Sequence, residues 1–116
     1  MNSLEKSETC AQLALENKAL DPVIIELIGT TSLADYFLVC SGTSERHTQA
    51  MADHIEISLK KSGMLPRGIE GRTRGRWILM DYGDVIVHIF QESERAFYEL
   101  EALWSDCPRI SVSDAP

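Results

Sequence analysis

The chain has 116 residues, 44% hydrophobic and 25% charged, which predicts one globular domain with a core of its own. Its net charge of −7 disfavours a free nucleic-acid binder, because such binding is driven by Lys and Arg neutralising phosphates; a basic protein partner is compatible. No apolar run reaches the roughly 20 residues needed to cross a bilayer, and MNSLEKSETC lacks the basic-then-apolar pattern of a secretory signal, so a cytoplasmic protein without membrane contact is expected. Cys10, Cys40 and Cys107 have no CxxC spacing, which argues against a zinc or redox motif and for reduced thiols.

Residues 3–19 read as a first helix. Leu4, Ala11, Ala14 and Leu15 share a face, Ser3 is positioned as its cap, and Asp21-Pro22 ends it. A strand of Val, Ile and Leu follows over 23–28, then a Gly29-Thr30-Thr31-Ser32 turn and a second strand over 36–40. The short connection favours antiparallel pairing. Ser41-Gly42-Thr43-Ser44 ends that strand and opens a helix to about Ser62, with Met51, Ile55 and Leu59 on one face and Gly63 as its stop. A short strand near 67–71 completes a βαβ crossover.

The central feature comes next. Residues 77–80 and 85–90 read as a hairpin joined by Asp81-Tyr82-Gly83-Asp84, with Gly83 as the residue suited to positive φ. Its nearly continuous apolar runs suggest strands covered on both faces. A last helix from Ser93 to about Asp106 carries an apolar stripe of Phe97, Leu100, Leu103 and Trp104. Residues 108–116 are expected to be a flexible tail after a domain of residues 1–107. The order α-β-β-α-β-β-β-α predicts a single α/β domain with a mixed five-stranded sheet flanked by helices.

Several patterns invite chemistry. A Gly-Ser turn at a strand-to-helix junction presents backbone N–H groups to phosphate, and nucleotidyltransferases use one. Their chemistry also needs paired carboxylates two residues apart on a strand to hold divalent metal. That pair is missing: Asp53 has no such partner, and Asp81 and Asp84 are three apart across a turn. The turn therefore reads first as a helix cap, with nucleotide binding at Gly42–Ser44 as the alternative. Asp84 and His88, four apart, would share a strand face at roughly 13 Å, too far for one hydrogen bond. No metal or cofactor is expected. Cys40, with His47 or His54 as a possible base, sits in an apolar strand where thiols are usually inert. Arg72, Arg74 and Arg76 form a basic patch, either solvated or in contact with RNA or an acidic partner.

Five pieces occur in order: Ser32-Leu33-Ala34-Asp35-Tyr36-Phe37; Cys40-Ser41-Gly42-Thr43-Ser44; Glu70-Gly71; Trp77 through His88; and Arg95-x-x-Tyr98-x-Leu100-Glu101-x-x-Trp104. Together they resemble the bacterial members of the ribosomal silencing factor (Iojap) family over about residues 5–106. The resemblance implies a nucleotidyltransferase-like fold without transferase activity. It also implies binding to the large ribosomal subunit through universal large-subunit protein fourteen, with subunit joining blocked when nutrients are short, and a homodimer when free; peripheral contact with ribosomal RNA stays an open reading of the arginine patch. Carried onto this chain, the docking surface would use Trp77, Tyr82 and Tyr98 as aromatic anchors and Glu70, Asp81, Asp84 and Glu101 as acceptors for basic side chains. His88 would stand at the rim or support Asp81, and Trp104 would belong to the core.

Overall fold

The computed structural model describes residues 1–112. Helix α1 spans Ser3–Glu16. Its cap is Asn2 rather than Ser3: the Asn2 side chain accepts from Glu5 N at 2.8 Å and Glu5 Oε1 accepts from Asn2 N at 3.1 Å, a reciprocal capping box. The helix stops early because Lys18 enters the left-handed region. Strand β1, Leu20–Glu26, then begins before the Asp21-Pro22 break. Pro22 is tolerated there at a register shift between Leu20 and Val23, where a strand can bulge around a residue that cannot donate.

Strand β2, Tyr36–Gly42, is buried at every position. Helix α2, Glu45–Lys61, starts at Ser44, whose Oγ accepts from His47 N at 3.1 Å. Strands β3 (Gly68–Glu70), β4 (Trp77–Asp81) and β5 (Val85–Gln91) follow. The expected β4–β5 hairpin is present, closed by Tyr82 N donating to Val85 O at 2.9 Å with Gly83 at φ 87°.

The C-terminal part departs from expectation twice. The single last helix is two pieces, α3 (Glu92–Tyr98) and a 3₁₀ turn (Leu100–Trp104), broken at Glu99 in the left-handed region. The break divides the apolar stripe: Leu100 and Trp104 pack on the sheet, whereas Phe97 and Leu103 are 78% and 74% exposed. The segment expected as a flexible tail contributes a sixth strand, β6 (Arg109–Ser111), paired antiparallel with β1. It covers the otherwise open edge of β1 and brings Ile110 against the core. The rest of the expected tail, residues 113–116, lies outside the described residues.

The sheet is therefore six-stranded, in the order β3-β4-β5-β2-β1-β6. β2 is parallel to β5 and antiparallel to β1. α1 and α2 seal one face: Cys10, Ala14, Met51, Ile55 and Leu59 pack on Leu38, Cys40, Ile78, Met80, Val87 and Ile89. The opposite face carries Phe37, Val39 and Phe90, covered by Leu100, Trp104 and Cys107. α3 is only seven residues long, so this second face is left partly open near β4.

Candidate functional site

Residues directly opposite one another on a sheet share a face. The rows Glu70–Leu79–His88, Gly68–Asp81–Ile86 and Trp77–Phe90 therefore place Glu70, Trp77, Asp81 and His88 on the second face, away from α1 and α2. Tyr98, at the end of α3, joins them: its ring lies 4.9 Å from that of Trp77, which stacks on Phe90 at 4.8 Å. Five of the eight expected site residues thus converge. Tyr98 remains 48% exposed and Trp77 half-buried. Glu70 is exposed at the β3 edge. Asp81 uses one carboxylate oxygen to accept from Gly83 N at 2.7 Å.

His88 is a support beneath this face rather than part of its rim. It is 3% exposed and packs edge-on against Phe37 at 4.5 Å. Burial pushes its pKa down to about 4, so it is neutral. The indole N–H of Trp77 donates to Nδ1 at 3.1 Å. Because an indole only donates, the histidine proton must sit on Nε2. That atom has no partner among the described residues.

The other three expected residues lie elsewhere. Tyr82 is buried in the helix-side core, so its ring is not available as a surface anchor. Burial pushes its hydroxyl pKa up. Asp84 turns toward α1 and pairs with Lys6 Nζ at 2.6 Å. The expectation that Asp84 shares a face with His88 fails because Asp84 belongs to the turn, where strand alternation no longer applies. Glu101 is committed internally: Arg95 grips both its oxygens at 2.8 and 3.2 Å, and Arg109 approaches at 3.4 Å. These hydrogen bonds and charges hold its pKa below the usual carboxylate value.

The Gly-Ser turn is occupied by its own helix. Thr43 N donates to His47 Nδ1 at 2.9 Å, His47 N to Ser44 Oγ, and His47 Nε2 to Asn17 O at 2.6 Å. Two of the amides at this junction, Thr43 N and His47 N, thus already have acceptors within the chain. Cys40 is fully buried, its pKa raised to about 12 by burial, and its Sγ lies 3.7 Å from Met51 Sδ. His54 pairs with Glu16 at 2.7 Å. No group of three or more His, Cys, Asp or Glu side chains is arranged to hold a metal among the described residues, and no helix among them is long and apolar enough to cross a membrane.

Three features of the second face escape a sequence reading. Leu79 and Ile86 are only partly buried within it. Phe97 stands outside it, edge-on to Tyr98 at 5.1 Å. A cleft of about 380 Å³ opens beside Trp77 and Tyr98, lined also by Arg74, Arg76 and Glu94. The only sequence signal was the arginine run itself, which does not say where its side chains point.

These features define a mixed α/β domain with one sheet face sealed by two helices and the other offering an aromatic surface ringed by charge. The family described as "Ribosomal silencing factor during starvation" matches residues 1–116, so the match extends past Asp106 into the C-terminal segment. The chain belongs to the ribosomal silencing factor RsfS family. It is 36% identical to the ribosomal silencing factor RsfS of Halalkalibacterium halodurans, over 97% of this chain and 96% of that one. It is 37% identical to that of Bacillus subtilis, over 93% and 92%. A crystal structure of a Chromobacterium violaceum protein superimposes with a TM-score of 0.88 at 33% identity, covering 90% of this chain and 88% of that one. The relatives' names describe a regulatory role in translation rather than an enzymatic one.

Proposed function

We propose that this chain docks on the free large ribosomal subunit through its second sheet face, at universal large-subunit protein fourteen. It thereby excludes the small subunit by occupancy alone and lowers translation when nutrients are short. The observation that carries this reading is the convergence of Glu70, Trp77, Asp81 and Tyr98 on one face. An exposed aromatic beside carboxylates is the usual composition of an interface anchor for a basic partner. The net charge of −7 speeds encounter with such a partner.

Nucleotidyl transfer has no place in this reading, and saturable nucleotide binding at Gly42–Ser44 is disfavoured because Thr43 N and the Ser44 hydroxyl are both already engaged by His47. Exposed Phe97, Tyr98 and Leu103 support a second copy covering this region when no ribosome is present, which light scattering at micromolar concentration tests. The decisive experiment is sedimentation of purified subunits. The protein should travel with the large subunit and reduce the joined fraction. If it binds and the subunits still join, the exclusion mechanism is wrong.

A further inference from the structure

We infer that the loop of residues 71–76, beside the proposed docking face, is a built contact for ribosomal RNA phosphates, made through Arg74 and Arg76. The inference rests on the docking reading above and adds a second class of target to it.

The loop is held from inside more firmly than a solvent loop requires. Gln49 Nε2 donates to the carbonyls of Arg72 and Thr73 at 2.9 and 3.1 Å. The fully buried Thr48 donates its hydroxyl to Gly75 O at 2.6 Å, and Gln91 Nε2 reaches the same oxygen at 3.1 Å. Gly75 N closes the loop on Gly71 O at 3.0 Å. Three side chains from two elements therefore fix its backbone.

The arginines it carries are treated differently. Arg72 is neutralised by α2, with Glu56 at 2.6 Å and Asp53 at 3.6 Å. Arg74 and Arg76 are exposed and make no salt bridge or side-chain hydrogen bond among the described residues. In a chain with 18 acidic residues, two neighbouring guanidiniums left uncompensated on a fixed loop indicate an external anion. Guanidinium forks match phosphate oxygens bidentately. Both line the cleft that also holds the exposed ring of Tyr98, with Glu94 as its single carboxylate. An aromatic wall beside paired arginines suits an RNA strand, whose bases stack on such rings, better than an acidic protein surface. The overall negative charge makes this contact too weak to act alone. Once the neighbouring face is docked, the phosphates are presented at high effective concentration and the contact becomes intramolecular.

The test is the salt dependence of binding to intact large subunits, compared with binding to the isolated large-subunit protein. Each phosphate contact contributes roughly 0.7 to 0.9 to the slope of log affinity against log salt, so Arg74→Ala/Arg76→Ala should flatten the slope by about 1.5. A fourfold rise in salt should then shrink the variant's deficit on whole subunits by roughly tenfold. The isolated protein should be bound equally by wild type and variant. Arg74→Lys/Arg76→Lys should keep most of the slope. Backbone footprinting should show ribosomal RNA protection that the alanine variant loses. Equal slopes with unchanged footprints overturn the inference and leave the docking face standing. An equal loss on the isolated protein assigns the arginines to an acidic protein surface instead. If the wild type binds no large subunit at any salt, the docking reading falls and takes this inference with it.

Discussion

The indole Nε1 of Trp77 donates to Nδ1 of His88 at 3.1 Å, so a buried, neutral histidine holds the plane of the half-buried ring at the centre of the aromatic face. Protonating His88 would place a hydrogen on Nδ1 facing that N–H, and the bond would be lost.

Stability should therefore depend on pH through His88. Its folded pKa of about 4 lies below the ordinary value of 6.5, so between these values the unfolded chain binds more protons. The contribution is fully present above 6.5, is lost as pH falls toward 4, and is constant below that. Urea unfolding should show a loss of about 2 kcal/mol between roughly pH 7.5 and pH 5 from this group. His88→Leu should remove that component while costing stability at neutral pH by leaving the Trp77 N–H without an acceptor. An unchanged pH slope in the variant would show that His88 is not held neutral.

Tyr98→Ala should weaken binding to the large subunit by ~2 kcal/mol, roughly thirtyfold, with little change in melting temperature because the ring is half exposed. Trp77→Phe keeps the stack on Phe90 but removes the bond to His88, and should lower stability by about 1 kcal/mol. A folded Tyr98→Ala protein that binds like wild type would move the docking surface elsewhere.

Gly71→Ala should be among the most damaging single-methyl changes. Gly71 has φ 82°, and a Cβ there would sit 2.0 Å from the carbonyl oxygen of Trp77. Left-handed strain alone costs about 1 kcal/mol or more, and the backbone clash adds to it. Loss of more than ~2 kcal/mol in chemical denaturation is expected; a value under 0.5 kcal/mol would mean that the loop relocates without cost.

Lys6→Met and Asp84→Asn should each cost at most ~1 kcal/mol, because Asp84 is more than a third exposed and solvent screens the pair. Neither should change large-subunit affinity, since the pair lies on the α1 side. If Asp84→Lys abolishes binding in a folded protein, the hairpin tip rather than the second face makes the contact.

Much was legible before the structure. The Ser41–Ser44 turn as the cap of α2, Gly83 in the hairpin turn, the antiparallel β1–β2 pair and Cys40 as a core thiol are local properties, governed by backbone sterics and short-range hydrogen bonds. The family resemblance was legible because it is carried by residue identities in order from Ser32 to Trp104. Local signals misled at the C-terminus. The helical spacing of Phe97, Leu100, Leu103 and Trp104 predicted one stripe, but the left-handed break at Glu99 divides it between sheet and solvent. A polar ending predicted a tail, but the open edge of β1 recruits Arg109–Ser111.

The sequence by itself determined the composition of the candidate surface: aromatics, carboxylates and arginines clustered between Glu70 and Glu101. Only the tertiary structure decided which of them face the same way. Tyr82 follows Asp81 directly yet lies under the helices, Asp84 is claimed by Lys6 from α1, and Glu101 is claimed by Arg95 and Arg109. Tyr98, some twenty residues from Trp77, packs its ring against it at a tilt. The reason is that strand alternation and turn geometry assign a side chain to a face, while long-range ion pairs and helix packing decide whether it stays free to meet a partner.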